Sequence, residues 1–395
     1  MSTEAFLVGG VRTPFGRYRG ALADARPDYL AALVLDAALQ RAGVPGDAVD
    51  EVIFGAANQA GEDNRNVARM AVLLASLPPD VPGYTVNRLC ASSLQAIASA
   101  AQQVRTGEAD VVVAGGVESM TRAPMVLPKS PRPWAAADDV ADTTLGWRLV
   151  NPKMKEVDEG EATISLGETA EKVARLDGIS REQSDAFGLR SQQRTEAARD
   201  RLEQDIVAVE VRKGEFTADE VPRPDSTAEG LAKLKPAFSA DGVVTAASAS
   251  PLSDGAGAIV VASEEAVERH GLQPRGRIVA AASAGVPPSI MGLGPVPSTE
   301  KVLARSGWSV SDLDAVEINE AFATQVLASI DRLGLDPETV NAYGGAIALG
   351  HPLGASGVRL VLQLLRRLED DEASRGLATL CVGVGQGMAL TVERV

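Results

Sequence analysis

The sequence predicts an α/β protein in which helices pack against sheets. Short apolar runs alternate with amphipathic helical patterns along the chain, as happens when helices cover strands. With 45% hydrophobic and 23% charged residues, the composition is that of a globular protein rather than a fibrous or disordered one. The 395 residues are enough for about two to three domains of ordinary size.

The first elements of the chain show this alternation. An Ala- and Leu-rich segment at 30–41 predicts an amphipathic helix, and a Gly-Val-Pro-Gly turn separates it from the apolar run 52–54, a predicted strand. A second helix is predicted at 92–105. The apolar run 110–114 predicts a buried strand that ends at a pair of glycines.

Patterns that recur at one fixed offset favour a duplicated fold. The segment around Asp50 resembles the segment around Asp314, which lies 264 residues later. At the same offset the small-residue turn 90–94 matches 354–358, and each turn precedes an apolar helix. The following strands, DVVVAGG and ATLCVGVG, match at an offset of 267. Two sites in one register favour duplication, although separate βα units can also resemble one another by chance.

A different kind of sequence lies between the two repeats. It is rich in proline and charge and contains one long polar helical pattern, which indicates an insertion on the first half. We therefore predict an N-terminal half at 1–120 that is completed by about 251–274, an inserted loop domain at 121–250, and a C-terminal half at 275–395.

Charge and residue counts exclude several classes of protein. Basic side chains number 38 against 53 acidic ones, so with a net charge of −15 nucleic acid is not an expected partner. No run approaches about 18 apolar residues and the first residues hold no long apolar segment, so we expect a cytoplasmic chain without a membrane segment. Two cysteines and two histidines are too few for a disulfide scaffold or a zinc cluster, and no metal is expected.

Cys90 is a candidate nucleophile because of its place in the predicted fold. A predicted strand at 84–86 is followed there by a helix that begins near Ala91 or Ser92. The free N–H groups and the positive dipole end of a helix N-terminus stabilise a thiolate, which is the reactive form of cysteine. The alternative is that Cys90 is a small buried apolar side chain, as most free cysteines are.

His351 lies in a Gly-dense stretch at 341–357, where the backbone can approach a ligand closely. This stretch lacks the Gly-Lys-Ser/Thr of a phosphate loop, and a structural role for the histidine remains open. The other histidine, His270, follows a helical pattern and is predicted to be a surface residue at a helix end.

Two further segments place polar or reactive groups beside predicted strands. Cys381 precedes alternating glycines at 383, 385 and 387, but no helix follows them, so a dinucleotide site is not predicted. Alternate glycines on a strand fit a place where a ligand or another backbone comes close. Asn319 and Glu320 come just after an apolar strand, where α/β proteins present functional groups, although a helix cap is the alternative.

Together these residues carry a resemblance to the thiolase family, which covers essentially the whole chain. The motifs occur in the order and approximate spacing of that family, and they are VNRLCASSLQA (86–96), GGVESM (115–120), NEAFA (319–323), GGAIALGHPLGASG (344–357) and CVGVGQG (381–387). The resemblance implies two duplicated βαβαβαββ halves in five layers (αβαβα), with an inserted loop domain that binds CoA. It also implies an acetyl-CoA C-acyltransferase that catalyses reversible Claisen condensation and thiolysis of 3-oxoacyl-CoA.

The resemblance assigns a role to each motif residue. Cys90 matches the nucleophile that holds the acyl group as a thioester, and His351 matches the histidine that activates it. Cys381 matches the acid/base that acts at C2 of acetyl-CoA. His351, with a water positioned by Asn319, matches one oxyanion hole, and the backbone N–H groups of Cys90 and Gly383 match the second. CoA is then a substrate and product, with no tightly bound cofactor.

Other implied features rest on looser matches. Positions that align with CoA or acyl contacts are Arg223, Phe238, Ser250, Met291 and Phe322. The sequence departs from the family at 247–250, where Ala-Ser-Ala-Ser replaces Gly-Asn-Ala-Ser, and at Ser93, where Gly is usual. The resemblance also implies a homotetramer, as a dimer of dimers, or a homodimer.

The resemblance leaves two substrates open. Ser165-Leu166 replaces the His-Met pair of acetoacetyl-CoA thiolases, which disfavours acetoacetyl-CoA as the only substrate. The stretches 58–71 and 142–154 resemble 3-oxoadipyl-CoA thiolases of aromatic catabolism, whereas a general acyltransferase would serve fatty acid metabolism through β-oxidation. A protein of this fold that binds acyl-CoA or lipid without catalysis is the alternative from another class. A decarboxylating condensing enzyme is disfavoured because a second cysteine occupies the base position.

Overall fold

The computed structural model describes residues 4–130, 132–134, 139–212 and 214–395. The strands are β1 (Ala5–Arg12), β2 (Gly16–Arg17), β3 (Glu51–Gly55), β4 (Gly83–Val86), β5 (Val111–Ser119), β6 (Met125–Val126), β7 (Ala141–Asp142), β8 (Val209–Val211), β9 (Gly214–Phe216), β10 (Ser253–Ser263), β11 (Pro274–Gly285), β12 (Ala315–Ile318), β13 (Arg375–Val382) and β14 (Gln386–Arg394). The helices are α1 (Pro27–Ala42), α2 (Val67–Leu74), α3 (Ser92–Thr106), α4 (Leu166–Asp177), α5 (Arg181–Ala197), α6 (Arg199–Glu203), α7 (Ala228–Ala232), α8 (Glu264–His270), α9 (Pro295–Ser306), α10 (Ala323–Leu333), α11 (Ala346–Leu349) and α12 (Ser356–Asp370).

The large sheet consists of two halves with the same strand arrangement. The order is β4-β3-β5-β10-β1 in the first half and β12-β13-β14-β11 in the second. The halves join where β1 pairs with β11 in antiparallel orientation. A parallel bridge between Val316 and Val340 takes the place beside β12 that β4 has beside β3. The duplication predicted from the sequence is therefore present as a repeated strand order.

Three apolar clusters arrange the helices and strands in five layers. α1 and α2 pack on the outer side of the first half, and α9 and α10 pack on the outer side of the second. α3 and α12 lie between the halves, where Leu94 and Val361 share a core with strand residues from both, such as Ile53 and Leu380. This is the αβαβα fold that the resemblance implies.

Equivalent loops in the two halves are held by equivalent hydrogen bonds. Asp50 Oδ2 accepts from the backbone N–H groups of Asp110 and Val111, at 2.7 and 2.9 Å, and so ties the start of β3 to the start of β5. Asp314 Oδ2 does the same for β12 and β13, accepting from Ser374 and Arg375 at 3.0 and 2.8 Å. The repeat is thus preserved down to single carboxylates that satisfy strand-end donors.

The segment between β5 and β10 adds helices and two small sheets to the first half. It contains α4 to α7 and the two-stranded sheets β6-β7 and β8-β9. The chain then returns to the first half, because β10 pairs with both β5 and β1, and β11 begins the second half. The division into 1–120 with 251–274, 121–250 and 275–395 stays a prediction about domain boundaries.

Candidate active site

Four elements bring the predicted residues to one place between the halves. Cys90 lies on a short turn directly before α3, next to Leu89, whose φ of +46° is unusual for a side-chain-bearing residue. Cys381 lies near the end of β13, and Gly383 follows that strand. His351 lies between α11 and α12, within the Gly-dense stretch 341–357.

The two cysteines, the histidine and Gly383 line one cavity of about 330 Å³, which we call the apolar cavity. Its other walls include four of the five predicted CoA or acyl contacts, namely Phe238, Ser250, Met291 and Phe322. The rings of Phe238 and Phe322 meet edge to face with centroids 5.9 Å apart. Arg223 is exposed and does not line this cavity.

Hydrogen bonds fix which nitrogen of His351 carries the proton. The Ser356 hydroxyl donates to the Pro352 carbonyl oxygen at 2.8 Å, so its oxygen accepts from His351 Nδ1, 2.6 Å away. Nε2 is then the free base, and Asn319 Nδ2 lies 3.3 Å from it. Burial, and then the charge of Arg359, lower the pKa of His351 to about 3, so the ring is neutral at rest.

Arg359 is a residue of the site that the sequence reasoning missed. Its side chain is almost fully buried, and its Nη2 donates to Asn319 Oδ1 at 3.0 Å. Because arginine only donates hydrogen bonds, this contact forces the amide nitrogen of Asn319 towards His351. A charged residue inside the apolar run VRLVLQLL of α12 was the signal available in the sequence.

The thiol of Cys90 does not behave as its place beside a helix predicts. Burial raises the pKa of Cys90 to about 11, although the backbone N–H groups of Gly383 and Cys90 act in the opposite direction. The backbone donors beside the helix favour the thiolate, as the sequence predicts, but desolvation outweighs them, so the thiol is the resting form. Burial also raises the pKa of Cys381, and the neighbouring Cys90 adds to that effect.

A second cavity of about 440 Å³ also opens at Cys90, and we call it the polar cavity because its wall, although mostly apolar, holds more polar side chains than that of the first. It shares Cys90 and Gly383 with the apolar cavity but neither His351 nor Cys381. Polar side chains in its wall include Asn58, Asn87 and Arg148. Cys90 therefore lies where the more apolar cavity meets the more polar one.

Trp147, also missed from the sequence, closes the site beside Gly383. Its indole nitrogen donates to the carbonyl oxygen of Ile164 at 3.1 Å, which anchors the ring. A Cβ atom added to Gly383 would lie 3.0 Å from this ring and 3.2 Å from Leu89. A residue without a side chain is needed at 383 so that its N–H can reach Cys90 under the indole.

Comparison with protein families agrees with this geometry. Models described as the N-terminal and C-terminal domains of thiolase match residues 5–265 and 272–394. The chain belongs to the thiolase family. Among the described residues of this thiolase, no group of three or more potential ligands could hold a metal ion. In the same part of the chain, every helix is too short or too polar to cross a bilayer.

Similar thiolases match over their full length. The beta-ketoadipyl-CoA thiolase of Pseudomonas aeruginosa is 52% identical over 404 residues, with 100% of both chains covered. The 3-oxoadipyl-CoA/3-oxo-5,6-dehydrosuberyl-CoA thiolase of Escherichia coli is 51% identical over 402 residues, covering 99% of this chain and 100% of that protein. The structure of human mitochondrial 3-ketoacyl-CoA thiolase in complex with CoA has a TM-score of 0.93 and 39% identity, covering 100% of this chain and 98% of that one. This thiolase is accordingly an enzyme, an acyltransferase, rather than the binding protein also considered.

The pKa of the Cys90 thiol predicts how the resting thiolase reacts with an alkylating agent. Because only thiolate reacts, we expect the iodoacetamide rate at Cys90 to rise about tenfold for each pH unit from 7 to 10, without a plateau. Mass spectrometry of the peptide that contains Cys90 measures this rate, and the Cys381→Ala variant separates the two thiols. A plateau below pH 8 would show that Cys90 is a thiolate at rest.

Proposed function

We propose that this thiolase cleaves 3-oxoadipyl-CoA with CoA to give succinyl-CoA and acetyl-CoA, and runs the reverse condensation with the same groups. The observation that carries the proposal is the meeting of Cys90, His351 and Cys381 in one cavity. Cys90 serves as nucleophile and His351 as its base, while Cys381 exchanges a proton with the carbon that becomes the acetyl methyl group.

The first half-reaction moves the acyl group onto the enzyme. Cys90 Sγ bonds to C3 of the substrate while His351 Nε2 takes the thiol proton. Because both groups are neutral at rest, the proton leaves as the sulfur–carbon bond forms rather than before it. The C2–C3 bond then breaks, and C2 receives a proton from Cys381, so that acetyl-CoA leaves.

The second half-reaction restores the enzyme. The incoming CoA thiol gives its proton to the Cys381 thiolate and attacks the acyl group on Cys90. The Cys90 sulfur leaves and recovers its proton from His351. Every proton donated in the first half-reaction is returned, so no further cofactor is required by this scheme.

Negative charge develops on two oxygen atoms of the substrate during the reaction, and the site offers hydrogen-bond donors to each of them. The N–H groups of Cys90 and Gly383, which already face the thiol, would hold the oxygen on C3. His351, once protonated at Nε2 and with Asn319 beside it, would hold the enolate oxygen of acetyl-CoA. A C2 anion next to a thioester is high in energy, so this second site is needed for carbon–carbon bond chemistry.

The pantetheine arm of CoA is proposed to occupy the apolar cavity. Phe238 is half exposed at 40% and stands against Phe322, so the two rings form an entrance for an extended apolar arm. The arm would pass Ser250 and Met291 and bring the thioester to His351 and Cys381. Arg223, exposed outside the cavity, is proposed to meet the more distant polar part of CoA.

The choice of 3-oxoadipyl-CoA rests on the relatives and on two stretches of sequence. Relatives that are 51–52% identical over their whole length bear the names of thiolases for this substrate. The stretches 58–71 and 142–154, which resemble the same subfamily, both reach the wall of the polar cavity through Asn58 and Arg148. A role in β-oxidation of fatty acids and a cytoplasmic location stay predictions.

Steady-state thiolysis with three substrates tests this proposal. We expect kcat/KM for 3-oxoadipyl-CoA to exceed that for 3-oxohexanoyl-CoA and acetoacetyl-CoA by about 100-fold, since a buried polar contact discriminates more strongly than chain length. 3-Oxohexanoyl-CoA is the matched control because it has the same six-carbon backbone without the distal carboxylate. Equal rates with the two six-carbon substrates would refute the assignment.

We also propose that this thiolase forms a homodimer, or a homotetramer built from two dimers. β4 is at the edge of the large sheet and, among the described strands, pairs only with β3, so its other side can pair with a further strand. Met70, Leu73 and Leu74 of the adjacent α2 are each about half exposed. Such an apolar surface next to a strand edge is typical of an interface between copies.

A further inference from the structure

The two stretches that resemble one thiolase subfamily meet in space at a pair of polar side chains. Arg148 comes from the stretch 142–154 and Asn58 from the stretch 58–71. Arg148 Nη2 donates to both the backbone oxygen and the side-chain Oδ1 of Asn58, at 3.1 Å each. Both residues line the polar cavity that opens at Cys90.

Asn58 is itself held firmly, so it can position the arginine. Its backbone N–H donates to Glu118 Oε1 at 3.1 Å, and its Nδ2 donates to the Thr143 carbonyl oxygen at 3.1 Å. The neighbouring Trp147 is anchored by its own hydrogen bond and packs beside Gly383. The guanidinium is therefore fixed at one edge, through Nη2, on a loop that also contacts the site of acylation.

The remaining donors of Arg148 are available to a ligand. Among the described residues, neither Nη1 nor Nε makes a hydrogen bond, and no carboxylate lies within ion-pair distance of the guanidinium. Nη1 keeps two N–H groups and Nε keeps one, and each of these nitrogens can donate a charge-assisted hydrogen bond to a carboxylate oxygen. Many other arginines of the chain already pair with an Asp or Glu, so Arg148 is poised for a partner from outside.

We propose that Arg148, positioned by Asn58, binds the distal carboxylate of the acyl group carried on Cys90. This inference rests on the proposed function and identifies the side chain that recognises the acyl part of the substrate. Cleavage between C2 and C3 of 3-oxoadipyl-CoA leaves C3 to C6 on the sulfur as a succinyl group, with its carboxylate at C6. A thiolase with this contact selects acyl groups that end in a negative charge.

The two cavities determine the direction in which the acyl group extends. C1, C2 and the CoA arm must lie in the apolar cavity, because C2 has to meet Cys381 and the thioester oxygen has to meet His351. C4 to C6 then leave Cys90 on the other side, towards the polar cavity and Arg148. At about 440 Å³ the polar cavity has ample room for a four-carbon chain.

The one acidic side chain in the wall of the polar cavity, among the described residues, does not cancel this attraction. Glu118 is 2% exposed, and both its oxygens accept backbone N–H groups, from Ala57, Asn58 and Gly354. Burial, and then the charge of Asp63, raise the pKa of Glu118 to about 7. Glu118 is thus partly protonated near neutral pH, and both its oxygens are already engaged by backbone N–H donors.

The relatives' names agree with this reading. The Escherichia coli protein, 51% identical, is named for 3-oxoadipyl-CoA and for 3-oxo-5,6-dehydrosuberyl-CoA. Both names denote acyl chains that end in a carboxylate, although the chains differ in length. A cavity of about 440 Å³ in which one loop side chain supplies the positive charge can accept such chains of different length.

The test compares two substrates in three variants. For Arg148→Met we expect the ratio of kcat/KM for 3-oxoadipyl-CoA to kcat/KM for 3-oxohexanoyl-CoA to fall about 100-fold, because a desolvated charge pair is lost. Arg148→Gln keeps a donor for Asn58 and should lower the same ratio by a similar factor. Lys153→Met, an exposed cation five residues further along the same stretch, is the matched control and should leave the ratio unchanged.

The design separates failure of this inference from failure of the proposed function. The ratio in the unmodified thiolase tests the substrate, whereas the change of that ratio in the Arg148 variants tests the contact. A strong preference for 3-oxoadipyl-CoA that survives both Arg148 substitutions overturns the inference alone. Equal loss of activity towards both substrates also overturns it, because it indicates a displaced loop instead of a lost carboxylate contact. If Arg148→Met does not fold, the ratio in Arg148→Gln decides.

Discussion

Cys90→Ser is expected to abolish acyl-enzyme formation and to lower the rate of thiolysis by about 10⁴-fold or more. The hydroxyl of serine fits the space of the thiol but is a much weaker nucleophile. His351 is also a poor base for it, since burial and Arg359 lower the pKa of the imidazole to about 3. The N–H groups of Gly383 and residue 90 would still bind a carbonyl oxygen, so substrate binding should change little.

Mass spectrometry after incubation with acetyl-CoA measures this effect directly. The unmodified thiolase should carry one acetyl group on the peptide that contains Cys90, and Cys90→Ser should carry none. Thermal unfolding of the variant is the control for folding, because Cys90 is nearly buried and a misfolded chain would also lack the label. Thiolysis by the serine variant at an ordinary rate, with no label on the peptide that contains residue 90, would remove Cys90 from the nucleophile role.

The sequence predicted the fold well because the fold is repeated within the chain. Asp50 and Asp314 are recognisable as equivalent at one offset, and the structure gives each the same pair of backbone partners. Helix and strand positions were close for the same reason: the predicted helix 92–105 is Ser92–Thr106 in the structure. Local apolar periodicity is strong where an element faces a single large core.

The electrostatics of the site were harder to predict than its residues. Sequence shows that a helix follows Cys90, which suggests a stabilised thiolate, but it does not show how completely the thiol is buried. Desolvation raises the pKa to about 11 and reverses the expected direction. For His351 burial again has the largest effect on the pKa, and the charge of Arg359, which also holds Asn319, lowers the pKa further.

Two of the three site residues that sequence reasoning missed lie in a loop far along the chain from the residues that they contact. Arg148 and Trp147 lie in a stretch noted only for its subfamily likeness, and no local pattern connects them with Gly383 or with Asn58. Their contacts depend on how the insertion folds back over the first half of the sheet. Arg359, in contrast, was visible as a charge on an apolar helical face, which is a reason to look for a buried partner.

Cys381→Ala is expected to separate the two chemical tasks of the site. Acetyl transfer from acetyl-CoA to Cys90 needs the nucleophile, His351 and the oxyanion donors, but no proton from carbon. The variant should therefore form the acetyl-enzyme at a rate within about tenfold of the unmodified thiolase. Carbon–carbon bond formation needs a base at C2 of the second acetyl-CoA, so we expect condensation and thiolysis to fall by about 10³-fold or more.

Two measurements on the Cys381→Ala variant distinguish this division of labour from a general loss of structure. The label on the Cys90 peptide reports acylation, and exchange of the C2 hydrogens of acetyl-CoA with deuterated water reports proton removal from carbon. Retained acylation with lost exchange assigns the base to Cys381. Exchange at the unmodified rate would mean that His351 removes that proton, which its hydrogen-bonded Nδ1 and its lowered pKa of about 3 make unfavourable. Both sulfur atoms line the same cavity, so acetyl-CoA reaches both by the same route. Loss of the acetyl label in Cys90→Ser and its retention in Cys381→Ala would therefore reflect the different chemical roles of the two thiols.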